Sequence, residues 1–410
     1  MDSLQILENS PGITDTPGFE AAGIACDIRG NGDGRRDLAL IYSKDVCTVA
    51  GVFTKNDLKA APVQLCQRRL EESNGFHGVI INSGNANAAT GPQGLKDAYA
   101  MATRASQNLG CPPKTLLVCS TGRIGRHLPM TSIQKGIAEL CQNKGTLTTC
   151  GEAAAEAILT SDTRPKTVSF RFKGPSGEPL TLAGMAKGAG MIQPDMATML
   201  AFFATDIRIE SSLLQKLLND AVDRTFNCIS IDGDMSTNDT VLLFANGHSG
   251  VAIEDEHSAL SKTFSQALEK SAALLAEKIV GDGERTTKVV ELCVKGAPSK
   301  EKAEKVARAI ANSLLVKTSW YGDDPNWGRI VHAAGYAGIG LREERLDLFY
   351  EETPVIQGGE PLFQNEPQWR SIVSRKRFKI TLNLNLGKDT YRLLATDLSE
   401  GYVAFNKAEL

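Results

Sequence analysis

KGAGMIQPDMATMLAFFATDIRI, residues 187–209, is the stretch on which the reading of this chain turns. It opens with small residues, Gly188, Ala189 and Gly190, whose backbone can turn freely, and Pro194 then stiffens the path. From Met199 onward the run becomes apolar and aromatic, the composition of a buried strand. A glycine loop feeding a buried strand belongs inside a sheet, and the residues before it supply the neighbour. Val168, Phe170 and Phe172 alternate, PSGE at 175–178 turns the chain, and Leu180 with Leu182 alternates back, which predicts a hairpin leading into the loop.

Working outward, Leu38–Tyr42, Val46–Phe53 and Gly78–Asn82 read as strands between glycine-rich turns. Residues 131–142 place Ile133, Ile137, Leu140 and Cys141 on one face, and residues 151–159 are rich in alanine, so both stretches predict helices. Further helices are expected at 211–224, 257–279 and 300–313, separated by strands VLLFA (241–245) and VVELCV (289–294). The tail from Arg377 alternates as KITLNLNL, turns at GKD (387–389) and alternates back as TYRLLAT, predicting a hairpin that closes a sheet edge. Hairpins kept apart from long helices predict a layered α+β fold. No repeat, low-complexity linker or charge block separates domains, so two interlocked halves around one active site are expected, with the boundary near residue 197.

The chain has 410 residues, 42% of them hydrophobic, enough to bury a large core. A formal net charge of -3 without basic runs leaves no electrostatic footprint for nucleic acid and favours small soluble substrates. The nine cysteines (Cys26, Cys47, Cys66, Cys111, Cys119, Cys141, Cys150, Cys228, Cys293) never fall into CxxC or CxxH spacing and read as reduced core residues. The opening MDSLQILENSPGITD is not a secretory signal, and no run of about 18 apolar residues occurs, so a cytoplasmic protein without membrane partners is expected. His77, His127, His248, His257 and His332 form neither a Ser/His nor a metal-ligand pattern. DGDMSTND (232–239) alternates oxygen side chains but lacks the central glycine of a calcium loop and has Leu243 where the bidentate glutamate belongs; NGDGR (31–35) fails similarly. Both read as structural turns, no metal is expected, and GKD lacks the glycine and hydroxyl of a phosphate loop.

The chemistry centres on Ala197–Thr198. A threonine hydroxyl set against the preceding carbonyl can attack it, shift the acyl group from nitrogen to oxygen, and free a new amino terminus when the ester hydrolyses. Thr198 would then carry an α-amine of pKa about 7.7 to 8.0 beside its own hydroxyl, a nucleophile with a built-in base. Composition alone favours a glycine loop entering a strand, with Thr198 an ordinary β-branched residue. CSTGRIG (119–125) likewise offers a hydroxyl and small-residue amides for a tetrahedral oxyanion, or simply a turn.

KGAGMIQPDMATML resembles the self-processing signature of the glutamate/ornithine N-acetyltransferase family, the arginine-biosynthesis enzymes often called ArgJ. TPGFEAAGIACDIRGNGDGRRDLALI, AGVFTKNDLKAAPV, INSGNANAATGPQG, STGRIG, DGDMSTNDT and DPNWGRI resemble the family's blocks in its order, so the likeness spans essentially the whole chain. It implies layered sheets and helices of the DmpA/ArgJ-like type and self-cleavage into an alpha chain, 1–197, and a beta chain, 198–410, paired as α2β2. It also implies Thr198 as nucleophile, Thr121 and Gly122 as oxyanion hole, and substrate contacts at Thr163 in TSDT (160–163), Lys187, Glu284 and Asn406. Lys187 suits an α-carboxylate and Glu284 an ornithine amine. This chain has Arg285 and Thr286 where the family more usually has small residues, and the family's contact five positions after Asn406 would fall beyond Leu410. The implied reaction is ping-pong: N-acetylornithine acetylates Thr198, ornithine leaves, and glutamate collects the acetyl group as N-acetylglutamate. It needs no cofactor or metal, and some family members also accept acetyl-CoA as donor. Two alternatives stay open: an amidase or aminopeptidase of the same self-cleaving kind, in which water takes the acyl group, and an uncleaved ligand-binding protein.

Overall fold

In the computed structural model, which describes residues 4–73, 75–142, 150–193 and 199–408, the alternating stretch before the glycine loop forms strands Lys166–Lys173 and Pro179–Lys187. They pair antiparallel from Lys166 opposite Ala186 to Lys173 opposite Pro179, and the alternation buries Val168, Phe170 and Phe172. The apolar run after the loop is strand Leu200–Thr205, buried at every position as expected of a strand covered on both faces. It lies antiparallel to Pro179–Lys187, with Lys187 opposite Leu200, and parallel to Thr240–Ala245, with Leu200 opposite Thr240. The run does not continue to residue 209: Arg208–Ile209 turns away to pair with Ala252–Ile253.

The fold is α+β, in two compact units. The first comprises Met1–Gly188, Asp195–Asn227 and Met235–Ile279; the second comprises Ala189–Pro194, Cys228–Asp234 and Val280–Leu410. The strands on either side of position 197 are neighbours in one sheet.

Among the described residues of the first unit, nine strands form one sheet, joined by the long strand Leu38–Phe53. Its first half pairs with Phe19–Ile24 and Phe76–Asn82, and its second half with Thr240–Ala245. Exposed Lys44, Asp45 and Val46 interrupt its apolar pattern, which is why the sequence reads as two strands. Helix Met130–Gln142 buries the four predicted residues, Ile133, Ile137, Leu140 and Cys141. Helix Cys150–Ala157 lies so close to Phe19–Ile24 that a side chain at Gly23 would meet the Ala153 carbonyl at 2.0 Å. Helix Ser211–Arg224 has its predicted bounds because the Glu210 carboxylate accepts from the Ser212 and Leu213 amides at its start.

The second unit has its own core around a sheet ordered Ile229–Ser230, Asp389–Thr396, Val289–Ala297, Arg377–Asn383, Asp347–Tyr350, Thr353–Gln357 and Glu360–Pro361. The predicted tail hairpin is corrected here. Arg377–Asn383 and Asp389–Thr396 are both strands, but Val289–Ala297 lies between them, parallel to the first and antiparallel to the second. Alternation identifies a strand and its buried face, not the neighbour that pairs with it. Helix Lys300–Ala311 is capped by Ser299 and packs on Asp389–Thr396 and Val289–Ala297. No helix among the described residues is long and apolar enough to cross a membrane.

Candidate active site

Ala197 and Thr198, the predicted cleavage pair and nucleophile, lie outside the described residues. The other predicted site residues lie in two clusters, one in each unit.

In the first unit, buried strand Leu116–Ser120 runs parallel to Phe76–Asn82 and delivers Thr121 and Gly122 at its end. The Thr121 amide donates to the Asn82 carbonyl at 3.0 Å. Asn238 locks this corner, its side-chain amide donating to the Ala86 and Ser120 carbonyls at 2.6 and 2.9 Å. Gly122 has φ +133°, and a Cβ there would sit 2.3 Å from the Gly84 carbonyl carbon and 2.5 Å from the Asn85 nitrogen, so only glycine fits. Its amide is the donor expected for an oxyanion. Gly122→Ala is therefore expected to displace this amide and lower kcat per correctly processed chain by about 10²–10³-fold, read by steady-state kinetics.

Lys187 ends its strand almost fully buried, not on the surface as a lysine before glycine would suggest. Its ammonium donates to Thr121 Oγ1 at 3.3 Å and lies 3.9 Å from Asp162 Oδ2. Asp162, also buried, accepts from Lys166 Nζ at 2.7 Å, the Gly188 amide at 2.7 Å and the Thr160 amide at 3.2 Å. Burial alone would push its carboxyl up, but Lys187, Lys166 and these hydrogen bonds outweigh burial and hold it down at about 2. Thr163, the predicted substrate hydroxyl, follows Asp162 directly and is exposed.

Met199, next in the chain after Thr198, is clamped from the neighbouring strand. Its amide donates to Asp239 Oδ1 at 2.9 Å and its carbonyl accepts from the Thr240 amide at 3.1 Å. Burial pushes the Asp239 carboxyl well above the usual carboxylate range, against the opposing pull of the Met199 amide, Lys187 and Ser236.

In the second unit, Asn406 and Glu284 meet across 122 residues of sequence, Asn406 Nδ2 donating to Glu284 Oε2 at 3.1 Å. The Glu284 amide donates to the Ala189 carbonyl at 2.8 Å, and the carboxylate packs so closely on Gly190 that a Cβ there would meet it at 2.4 Å. The same loop is pinned by Asp232, which accepts from the Met191 and Ile192 amides at 2.6 and 2.7 Å. Arg285 takes a left-handed φ of +54° and stacks its guanidinium over Phe405, 5.2 Å from the ring centre.

Of the predicted site residues, Thr121 and Lys187 meet in the first unit, which also holds Gly122 and Thr163, and Glu284 and Asn406 meet in the second. The sequence reading missed Asp162, Lys166, Asp232, Asn238 and Asp239. For the last three a signal existed: the density of short oxygen side chains in DGDMSTND, read only as a turn. Among the described residues no group of three His, Cys, Asp or Glu side chains is placed to hold a metal ion.

The sequence model of the ArgJ family matches residues 20–408. The arginine biosynthesis bifunctional protein ArgJ of Thermotoga neapolitana is 43% identical over 395 residues, covering 95% of this chain and 98% of that protein. Its counterpart in Symbiobacterium thermophilum is 42% identical over 96% of this chain and 97% of that protein. The solved ornithine acetyltransferase from Mycobacterium tuberculosis, complexed with ornithine, is 37% identical, covering 47% of this chain and 98% of that chain with a TM-score of 0.43.

Proposed function

This chain belongs to the ArgJ family, and from that membership we propose that it cuts itself between Ala197 and Thr198 and transfers acetyl groups from N-acetylornithine to glutamate through an acetyl-threonine at Thr198. In this reaction the Thr198 α-amine takes the proton of its own hydroxyl as Oγ attacks the acetyl carbonyl. The oxyanion is held by Gly122 and Thr121. Collapse returns the proton to the departing ornithine amine, and glutamate's neutral amine repeats the attack on the ester to give N-acetylglutamate. Thr163, Lys187, Glu284 and Asn406 are the substrate contacts, with Lys187 suited to an α-carboxylate and Glu284 to the ornithine amine. One amide replaces another, so no cofactor is needed. The word bifunctional in the relatives' names supports a second donor, acetyl-CoA, and the processed chains would assemble as α2β2 in the cytoplasm.

The observation that carries this reading is the corner beside Thr121 that only glycine can occupy, at Gly122, within a family match spanning 20–408. Ornithine release from N-acetylornithine, followed with and without glutamate, tests it. Release is expected to depend on glutamate; equal rates would mean that water is the acceptor and the protein an amidase. Intact mass is expected to give two fragments, beginning at Met1 and Thr198. A single species near 44.0 kDa would reject self-processing.

A further inference from the structure

Two neighbouring side chains, Asn238 and Asp239, reach two different strands. The Asn238 amide group donates to the carbonyl of Ser120, the residue before Thr121, at 2.9 Å and to that of Ala86 at 2.6 Å. The Asp239 carboxyl accepts at 2.9 Å from the backbone amide of Met199, the residue after Thr198. One dipeptide therefore grips the chain one residue from the oxyanion corner and one residue from the nucleophile.

The dipeptide is itself immobilised from a third stretch of chain. The Thr54 hydroxyl donates to the Ser236 carbonyl at 2.7 Å, the Ala60 amide to the Thr237 carbonyl at 2.9 Å, and the Thr54 amide to the Asp239 carbonyl at 3.0 Å. The Thr237 hydroxyl donates to Asn238 Oδ1 at 2.6 Å, which turns the Asn238 NH2 group toward its two carbonyls. Thr240 then pairs opposite Leu200 on one side and Phe53 on the other. Asn238 and Asp239 are 4% and 0% exposed, so water does not compete for either contact. A segment pinned at this many points fixes a distance between the two strands it holds, and acyl transfer is sensitive to such distances, a misplacement of about 1 Å costing about 10²-fold.

We infer that Asn238 and Asp239 are positioning residues, a two-armed brace that sets the spacing between the oxyanion corner and the backbone carrying the nucleophile. The inference rests on the proposed roles of Thr198, Thr121 and Gly122.

Two swaps of nearly equal size test it in the full-length protein. Burial pushes the Asp239 carboxyl well above the usual carboxylate range, so this arm is a neutral acid with one accepting oxygen and one hydrogen. An asparagine offers the same pair of groups, and Asp239→Asn is expected to keep the half-time of self-cleavage, and kcat per processed chain for transfer from N-acetylornithine to glutamate, within about threefold. Asn238→Asp loses the donors that hold Ser120 and Ala86 and should lower kcat about 10²-fold, as should Asn238→Ala and Asp239→Ala, with KM for both substrates within about threefold of the unsubstituted value. The double alanine variant should be no worse than the poorer single one, because the brace fails as a unit. Where an alanine variant is not processed, slower self-cleavage by intact mass is the expected reading, and where one yields no soluble chain, Asp239→Asn decides. Three results overturn the inference: alanine variants that cleave and turn over within about threefold of the unsubstituted protein, losses confined to KM, or an Asp239→Asn protein as impaired as Asp239→Ala. An unsubstituted chain that is not cut before Thr198 instead refutes the proposed function, a distinct result.

Discussion

Thr198→Ala is expected to leave one uncut chain near 44.0 kDa and to reduce acetyl transfer on the order of 10⁴-fold or more. The reason is chemical. Without a hydroxyl there is no oxygen to receive the acyl group from Ala197, so no new amine forms. Without that amine and oxygen there is neither base nor nucleophile for N-acetylornithine. Thr198→Ser separates this from damage to the fold, because serine keeps the oxygen; it should process and retain measurable transfer. The clamp on Met199 by Asp239 and Thr240 does not depend on the side chain before it, so the alanine variant should melt like an intact protein. A cleaved alanine variant would remove the proposed mechanism altogether.

The second large effect is on stability. Asp162→Ala removes a buried carboxylate held between Lys166 and Lys187. Losing one partner of a buried ion pair costs about 3–5 kcal/mol, because the remaining charge stays out of water. The urea unfolding midpoint, measured in the Thr198→Ala background so that one chain is followed, should fall accordingly. Lys166→Met should cost less, since Asp162 keeps Lys187 and the Gly188 amide. The pH dependence has a definite sign. The Asp162 carboxyl sits at about 2 in the folded protein, below the value of about 3.9 for an unfolded aspartate. Its contribution is therefore complete above about pH 3.9 and is lost as pH falls through about 2, so the gap to the alanine variant should narrow in that window and stay constant at neutral pH. A loss under about 1 kcal/mol would mean that the rest of the network holds both lysines without Asp162, or that they give up their protons.

Much of the candidate site is legible in residue order because it is carried by short, ordered motifs. STG at 120–122 marks the corner where glycine is sterically required, and KGAG at 187–190 marks the loop on which the Glu284 carboxylate closes. What escaped were side chains whose meaning depends on neighbours far along the chain. Asp162 looks like a helix stop until Lys187 and Gly188 are beside it. Asn238 and Asp239 look like turn residues until their partners, Ala86, Ser120 and Met199, are known. Lys187 reads as solvated because lysine usually is; only strand pairing with Leu200–Thr205 carries it into the interior.

By itself the sequence determined the alternations that make strands, the spacing that makes helix Met130–Gln142, the extent of helix Ser211–Arg224, and the glycine-to-threonine stretch on which the proposed chemistry rests. Tertiary structure alone decided that Val289–Ala297 comes between the two tail strands, that Asn406 reaches Glu284, and that Lys187 stands behind Thr121. The division is physical. Backbone conformation and the choice of buried face depend on a few consecutive residues and leave a local period, whereas pairing and ion contacts are long-range closures chosen by how whole faces pack, and they leave no local trace.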